Sequence, residues 1–330
     1  MSSPSSYPAA SSSELEYALV AMGRREPSKR SRGGCSGCEE AGTVTRRPLF
    51  QGLGVRIDDF LCRAHAKSRS AEEPNPTHSI VFVRRGLFTR TDRGGTIVAD
   101  ANQILFFNRD QGYRYEHPLP GGDDCTILAL DDECAWDLCE GLAQPRSGSA
   151  IGPFHFGCAP STPRAARLHH ELLALAQPRG APLPLAAEEV VSELIDEAMR
   201  ALPDAAGASP HRGGPRSARR RETVEAAKLA LNRSIAAPPS LVELARALDC
   251  SPFHLSRIFR AATGLGLRHY VSRLRARLAA ERLARGARDL TDLALELGFW
   301  DHSHFTNAFR REWGVPPSRL HGTCREPRVE

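Results

Sequence analysis

Two stretches near the C-terminus carry side chains of the kinds that read nucleic acid. The first holds Phe253, His254, Ser256, Arg257 and Arg260; the second holds His302, Ser303, Thr306, Asn307 and Arg310. Arginine pairs bidentately with guanine O6 and N7, asparagine with adenine N6 and N7, and an aromatic ring meets the thymine methyl group. Arg257 and Asn307 are therefore candidates for base contact, with Phe253, His302 and Ser303 beside them. Arg260, Arg310 and Arg311 suit phosphates, which fix register without carrying sequence. The competing assignment for each is a solvent-exposed helix residue, and His304 is placed to cap or pack against its turn.

A second set of residue types is metal-ligating. Cys62, His65, His117 and Cys125 make a Cys2His2 zinc set if strands bring them together. Against it, Cys62 and Cys125 read as small buried residues and the histidines as turn residues. Cys35-x-x-Cys38 has no second pair and no nearby histidine, so it reads as two exposed, unpaired thiols. Nine cysteines, an odd number scattered through 330 residues, suit reduced thiols rather than a disulfide framework. No Gly-rich phosphate loop and no Ser or Cys nucleophile pattern is present. Neither an enzyme nor a cofactor is expected, and the metal assignment made from sequence is none, with the Cys2His2 set as its alternative.

Base-reading side chains act only if something holds them at the width of a groove. The supporting pattern is a repeat. Ser240–Arg260 (SLVELARALDCSPFHLSRIFR) is followed by Asp289–Arg310 (DLTDLALELGFWDHSHFTNAFR). Leu241, Leu244, Ala245 and Leu248 recur 49 positions on as Leu290, Leu293, Ala294 and Leu297; Leu255, Ile258 and Phe259 recur 50 positions on as Phe305, Ala308 and Phe309. Each half has the i, i+3, i+4, i+7 spacing of an amphipathic helix. Ser240 with Glu243 reads as a capping box, and Ser251 as an N-cap followed by Pro252. Asp289 and Asp301 suit N-caps, and Gly264 and Gly314 the left-handed residues that end helices. Two short helices joined by a tight turn make a helix-turn-helix, whose second helix enters a major groove. The inward face of the first recognition helix reads as Leu255, Ile258, Phe259 and Ala262. Between the copies, Leu267–Ala284 reads as one helix, with Leu274, Leu278 and Leu283 inward and Arg273, Arg275, Arg277 and Arg282 outward or capping neighbours. Recognition helices in successive grooves on one face of a duplex lie about 34 Å apart.

This stretch resembles the tandem helix-turn-helix DNA-binding domain of AraC-type transcriptional regulators. The resemblance is carried by Leu244-Ala245, Ser251 through Phe259, Gly264, Tyr270, Arg275, Leu293-Ala294, Leu297-Gly298-Phe299, Ser303–Arg310 and Gly314–Leu320. It implies that Phe253, Ser256, Arg257, His302, Ser303, Thr306 and Asn307 look toward bases. It also implies a cupin-like β-barrel sensor ahead of the DNA-binding domain, and activation through RNA polymerase.

The chain ahead of the repeat fits that order. Residues 1–47, rich in Ser, Pro, Gly and Arg, read as a disordered tail. Residues 48–145 carry short apolar runs at Val55–Cys62, His78–Arg84, Thr96–Ala99, Ile104–Phe107 and Thr126–Ala129, parted by turn residues, and predict an all-β sandwich or barrel. The segment is similar to cupin-like sensors but lacks the His-x-His pair of metal-dependent cupin enzymes; its histidines are His65, His78 and His117. Phe82, Phe106, Tyr113 and Tyr115 are candidates to line it, as core or as ligand contacts. Residues 150–205 read as a helical linker, with Ala166–Gln177 and Ala186–Leu202 as helices. The stripe Val190, Val191, Leu194, Ile195 and Met199 either forms a homodimer contact or packs on its own barrel, and His169-His170 read as surface residues. Residues 206–221 read as a flexible basic linker, and 222–325 as the all-α DNA-binding domain, opening with a helix at Thr223–Ile235.

Charge follows the same division. Residues 211–330 hold 22 Lys/Arg against 12 Asp/Glu, a net of +10, while residues 1–210 are at −5. A basic half is the footprint of a phosphate-bearing partner. No apolar run is long enough to span a membrane and no signal peptide is read, so a cytoplasmic location is expected. The expected function is sequence-specific regulation of transcription, in which a small-molecule effector sensed by the barrel alters binding to promoter DNA. The alternatives are a cupin-type metal enzyme fused to a DNA anchor, and an architectural DNA-binding protein whose β domain only dimerises.

Overall fold

The computed structural model describes residues 43–64, 68–140, 152–176, 185–202 and 214–320; Cys35, Cys38 and His65 lie outside the described residues. The N-terminal half is built from β1 (Thr43–Gly52), β2 (Val55–Arg63), β3 (Ser68–Arg69), β4 (Glu73–Pro74), β5 (His78–Gly86), β6 (Phe88–Asp92), β7 (Gly95–Ala99), β8 (Gln103–Phe107), β9 (Gly112–His117) and β10 (Asp123–Leu130). A short helix α1 (Asp132–Asp137) and strand β11 (Cys158–Pro160) follow. One sheet has the order β1-β2-β10-β5-β8-β11; the other runs β3-β9-β6-β7, with β4 on β9. Val81, Val83, Leu105, Phe107 and Cys125 of the first sheet meet Phe88, Tyr113 and Tyr115 of the second. Their strand neighbours Ile80, Phe82, Ile104, Phe106 and Leu128 pack in a separate core with helices α2 (Pro163–Leu175) and α3 (Leu185–Arg200). Successive side chains leave a strand on opposite faces. Both faces of the central strands are covered, so β5 and β8 are apolar at consecutive positions, Ile80–Val83 and Ile104–Phe107.

That parity corrects several expectations. Phe82 and Phe106 belong to the helix-packed face, not to the space between the sheets; Tyr113 and Tyr115 do line it. Segment 150–205 is less a linker than the cover of a sheet: Val190, Val191, Leu194 and Ile195 bury against their own barrel. His169 is buried, its Nε2 2.8 Å from Thr126 Oγ1, because α2 lies flat on the sheet. Strand β1 begins inside the stretch read as tail. It is an exposed edge strand whose Arg46 and Arg47 pair with Asp58 and Asp59 of β2, and such polar edges look like tail in composition.

The C-terminal half comprises α4 (Pro215–Arg233), α5 (Leu241–Ala247), α6 (Pro252–Thr263), α7 (Leu267–Ala284), α8 (Leu290–Glu296), α9 (His302–Trp313) and α10 (Pro317–Leu320). Residues 215–221 are thus helix rather than flexible linker. Pro215 stands at N1 after Gly214, and arginine is a good helix former. Helices α4 to α6 share one core with Tyr270, Val271 and Leu274 of α7; α8 and α9 share another with Ala276, Ala279, Ala280 and Leu283 of the same helix.

The halves meet along a polar seam. Asp100, in the β7–β8 turn, accepts from Tyr270 Oη and Asn232 Nδ2, each at 2.7 Å, and Val98 N donates to Glu225 Oε2 at 2.7 Å. Arg277, expected to face outward or to cap neighbours, is buried and does the latter. It donates to Glu312 at 2.7 Å, to Ser161 O at 2.7 Å and to Ala101 O. Asp124 gathers Arg63 and Arg85 of the barrel and Arg285 of the α7 cap. Burial alone would raise its carboxyl, but hydrogen bonds from Arg85, Arg63 and Arg285 hold it well below the usual carboxylate range.

Candidate nucleic-acid interface

Local rules build both recognition helices in the same way. Ser251 Oγ accepts from His254 N at 3.2 Å, and Asp301 Oδ1 accepts from His304 N at 2.7 Å. Gly264 and Gly314 end the helices at φ 71° and 75°, the left-handed region that favours glycine. The preceding helices are capped by the reciprocal Ser240–Glu243 box and by Asp289. Leu255, Ile258 and Phe259 are buried, as are Phe305, Ala308 and Phe309. Ala262, expected inward, is exposed; Thr263 takes the buried position, its Oγ1 donating to Phe259 O at 2.8 Å. Both positions fall in the last turn of the helix, which ends at Thr263.

The inward stripe decides what remains outside. Phe253 (89% exposed), Arg257 and Arg260 stand clear on α6; His302, Ser303, Asn307 and Arg310 do so on α9. His254, Ser256 and Thr306 are half-buried. Thr306 Oγ1 is shielded and has no hydrogen-bond partner among the described residues, so its hydroxyl is the least accessible of the set. Adding 50 to Phe253, Ser256, Arg257 and Arg260 gives Ser303, Thr306, Asn307 and Arg310, so the two outward faces match position for position. His304 is occupied by its turn: its Nδ1 lies 3.5 Å from Trp300 N and its ring meets Phe299 edge-on.

Arginines divide sharply between this face and the seam. Arg275 donates to the carbonyls of Ile235, Ala236 and Gly298 at 2.7–3.1 Å, tying α7 to the α4–α5 loop and to the α8–α9 turn. Arg273 and Arg277 clasp Glu312. Arg257, Arg260, Arg310 and Arg311, by contrast, are exposed and carry no ion pair among the described residues. Unpaired guanidinium groups on one face can neutralise phosphates at no cost in broken salt bridges. Trp300, 88% exposed just ahead of α9, also stands there and was not singled out in the sequence. Its signal was an aromatic residue directly before an N-cap aspartate.

The metal-ligating set lies elsewhere, in the barrel. Cys62 and His117 come together with Asp123, which the sequence did not single out, and Cys125 Sγ donates to Asp123. His78 stays apart, its Nε2 3.4 Å from Asp132.

Comparison with known proteins bears on the helical half. Residues 244–322 match the family described as helix-turn-helix domain. The regulatory protein SoxS of Salmonella typhimurium is 32% identical over 88 residues, which are 27% of this chain and 82% of SoxS. A putative AraC-like transcription regulator of Streptomyces lividans is 33% identical over 102 residues, 30% of this chain and 34% of that protein. The chain spans about a third of the length of the longer curated relatives it matches. The solved structure of ToxT from Vibrio cholerae aligns over 83% of this chain and 100% of that one at 10% identity, with a TM-score of 0.33, too low to carry an argument.

Proposed function

The chain belongs to the AraC-type transcriptional regulators, and from that premise we propose that it activates promoters by reading two successive major grooves with α6 and α9, under control of its β domain. One observation supports this most. The outward positions 253, 256, 257 and 260 have counterparts 50 residues on, at equivalent places on an equally framed helix, with different side chains at the first three and arginine at the fourth. Two unlike readers on one frame suit two unlike boxes in an operator. In this reading Arg257 takes a guanine, Asn307 an adenine, and Phe253 a thymine methyl, while Arg260 and Arg310 hold phosphates. RNA polymerase is the partner at the promoter, and the protein acts in the cytoplasm; no helix of the described residues is long and apolar enough to cross a membrane. Control passes through the seam. An effector shifts the balance only by binding one arrangement of the two halves better than another.

The test is selection of purified protein on a randomised duplex pool at two salt concentrations. An enriched motif of two different boxes, about one helical turn apart, is the expected result. A steep salt dependence with no enriched motif would instead mean phosphate binding alone and would end the two-box reading.

A further inference from the structure

The β domain contains a built polar cluster that DNA reading does not use. Cys62 is the last residue but one of β2, His117 closes β9 and Asp123 opens β10. Their Sγ, ring nitrogen and carboxylate oxygen all lie within 4.8 Å of one another. His117 Nε2 is 2.6 Å from Asp123 Oδ1, and Cys125 Sγ donates to Asp123 Oδ2 at 2.9 Å. The four residues are between 2% and 6% exposed.

From this arrangement we propose that the barrel holds a site for one borderline-soft divalent cation of the Zn2+ class, ligated by Cys62 Sγ, His117 Nε2 and an Asp123 carboxylate oxygen. Cys125 fixes the second carboxylate oxygen from behind. A thiolate, an imidazole and a carboxylate are a donor set for zinc-like ions; Ca2+ and Mg2+ call for oxygen alone. Three protein ligands leave a fourth position to water or to an exogenous donor. Ligand atoms about 2.0–2.3 Å from a tetrahedral ion sit roughly 3.3–3.6 Å apart. The His117–Asp123 pair therefore has to open by less than 1 Å to admit it, roughly the difference between that spacing and a hydrogen bond. Binding displaces the Cys62 thiol proton to solvent, and the proton held between His117 Nε2 and Asp123 Oδ1 leaves too, to solvent or to the other ring nitrogen.

The backbone is shaped for this convergence. Asp123 is the register partner of Cys62 in the β2–β10 ladder. Gly122, at φ 66°, brings the β9–β10 turn so close that a Cβ there would stand 2.1 Å from Cys62 O. Only glycine fits both the backbone angle and the contact. Without a cation the cluster is a buried carboxylate–imidazole pair, which by itself is weak evidence of stabilisation because two desolvated groups must recover their hydration. A cation supplies what the pair lacks.

Metal content of the purified full chain, measured after dialysis, tests the site together with Co2+ titration followed by absorption. One equivalent of metal and a thiolate-to-cobalt charge-transfer band are expected. Cys62→Ser and Asp123→Asn should each weaken binding by more than about 100-fold, and Cys125→Ser by about 10-fold. The double substitution Cys35→Ser/Cys38→Ser should leave it unchanged. A folded chain that takes up no Co2+ overturns the site. So does binding that disappears with Cys35 and Cys38, or a cobalt spectrum without a thiolate band. The wild-type titration decides even if a variant fails to fold. No DNA enters the measurement, so its outcome is independent of promoter recognition.

Discussion

The two helix-turn-helix units share a frame and differ in what they present and where they rest. Both bury an apolar trio, Leu255-Ile258-Phe259 or Phe305-Ala308-Phe309, and both end in a left-handed glycine. Outside, Phe253 and Arg257 of the first stand where the second has Ser303 and Asn307. Beneath, the first unit leans on the barrel through Ala101 and the Asp100–Tyr270 bond; the second leans on α2 through Ala166 and Arg167. The frame repeats because every such unit solves the same packing problem. The outer face varies because exposed substitutions cost a fold little. The different seats mean that a change in the barrel does not reach both readers alike.

Several substitutions sharpen or break that comparison. Phe259→Ala and Phe309→Ala should each destabilise by about 3–5 kcal/mol in denaturant melts. Grossly unequal losses would mean the frames are not equivalent. Arg277→Ala leaves Glu312 buried without its main partner and should cost about 3–5 kcal/mol, felt more in the second unit than in the first, whose seat Ala101 loses one donor. Hydrogen exchange should show α9 loosening while α6 stays protected. Arg257→Ala should weaken binding to the selected duplex by about 1–3 kcal/mol and relax one base of one box. Asn307→Ala should do the same in the other box, and the two should add within about 0.5 kcal/mol. Relaxation of the same base by both would put the readers in one groove.

Acidity probes the second seat. Burial, then the neighbouring Arg84, His170 and Arg277, hold the His169 pKa well below its ordinary value. The unfolded chain therefore takes up a proton below about pH 6.5 that the folded chain refuses. Stability is full above that pH and falls as pH drops, by at most about 1.4 kcal/mol per pH unit from this group. His169→Gln should flatten that slope in thermal melts taken between about pH 5 and 6.5. The smallest effect belongs to Arg310→Ala, which should weaken all duplexes alike and lower the salt slope by about one.

What could be read from the sequence was whatever obeys local rules. Caps at Ser240, Ser251, Asp289 and Asp301, the glycine stops and the span of α7 depend on residues within a turn of each other, and the structure has them. The face of Phe82 was not legible, because a strand buried on both sides gives no polar alternation to fix its parity. The start of α4 was missed because Arg219–Arg221 reads equally as solvated linker and as good helix formers. Asp123 acquires its place only through the register of β10 on β2. The seam lay furthest out of reach: Tyr270 and Asp100 are 170 positions apart, and Arg277 looked like any exposed arginine on a basic helix.

Helix α7 has mechanical consequences. It is unbroken over 18 residues, so its axis is about 27 Å long. Its first turn is anchored to the barrel by Tyr270 on Asp100, and just past its last turn Arg285 is anchored by Asp124. The helix is a lever with a fastening at each end. Arg277, bonded to Ala101 O, fastens its middle, so letting go of the Arg285 end makes that bond the pivot, and a tilt of about 10° carries the free end, about 12 Å away, roughly 2 Å. That displacement exceeds the tolerance of a bidentate hydrogen bond. Asp124 stands one residue from Asp123, so a cation at the proposed site would act on the latch of a lever arm that carries the helix-turn-helix units.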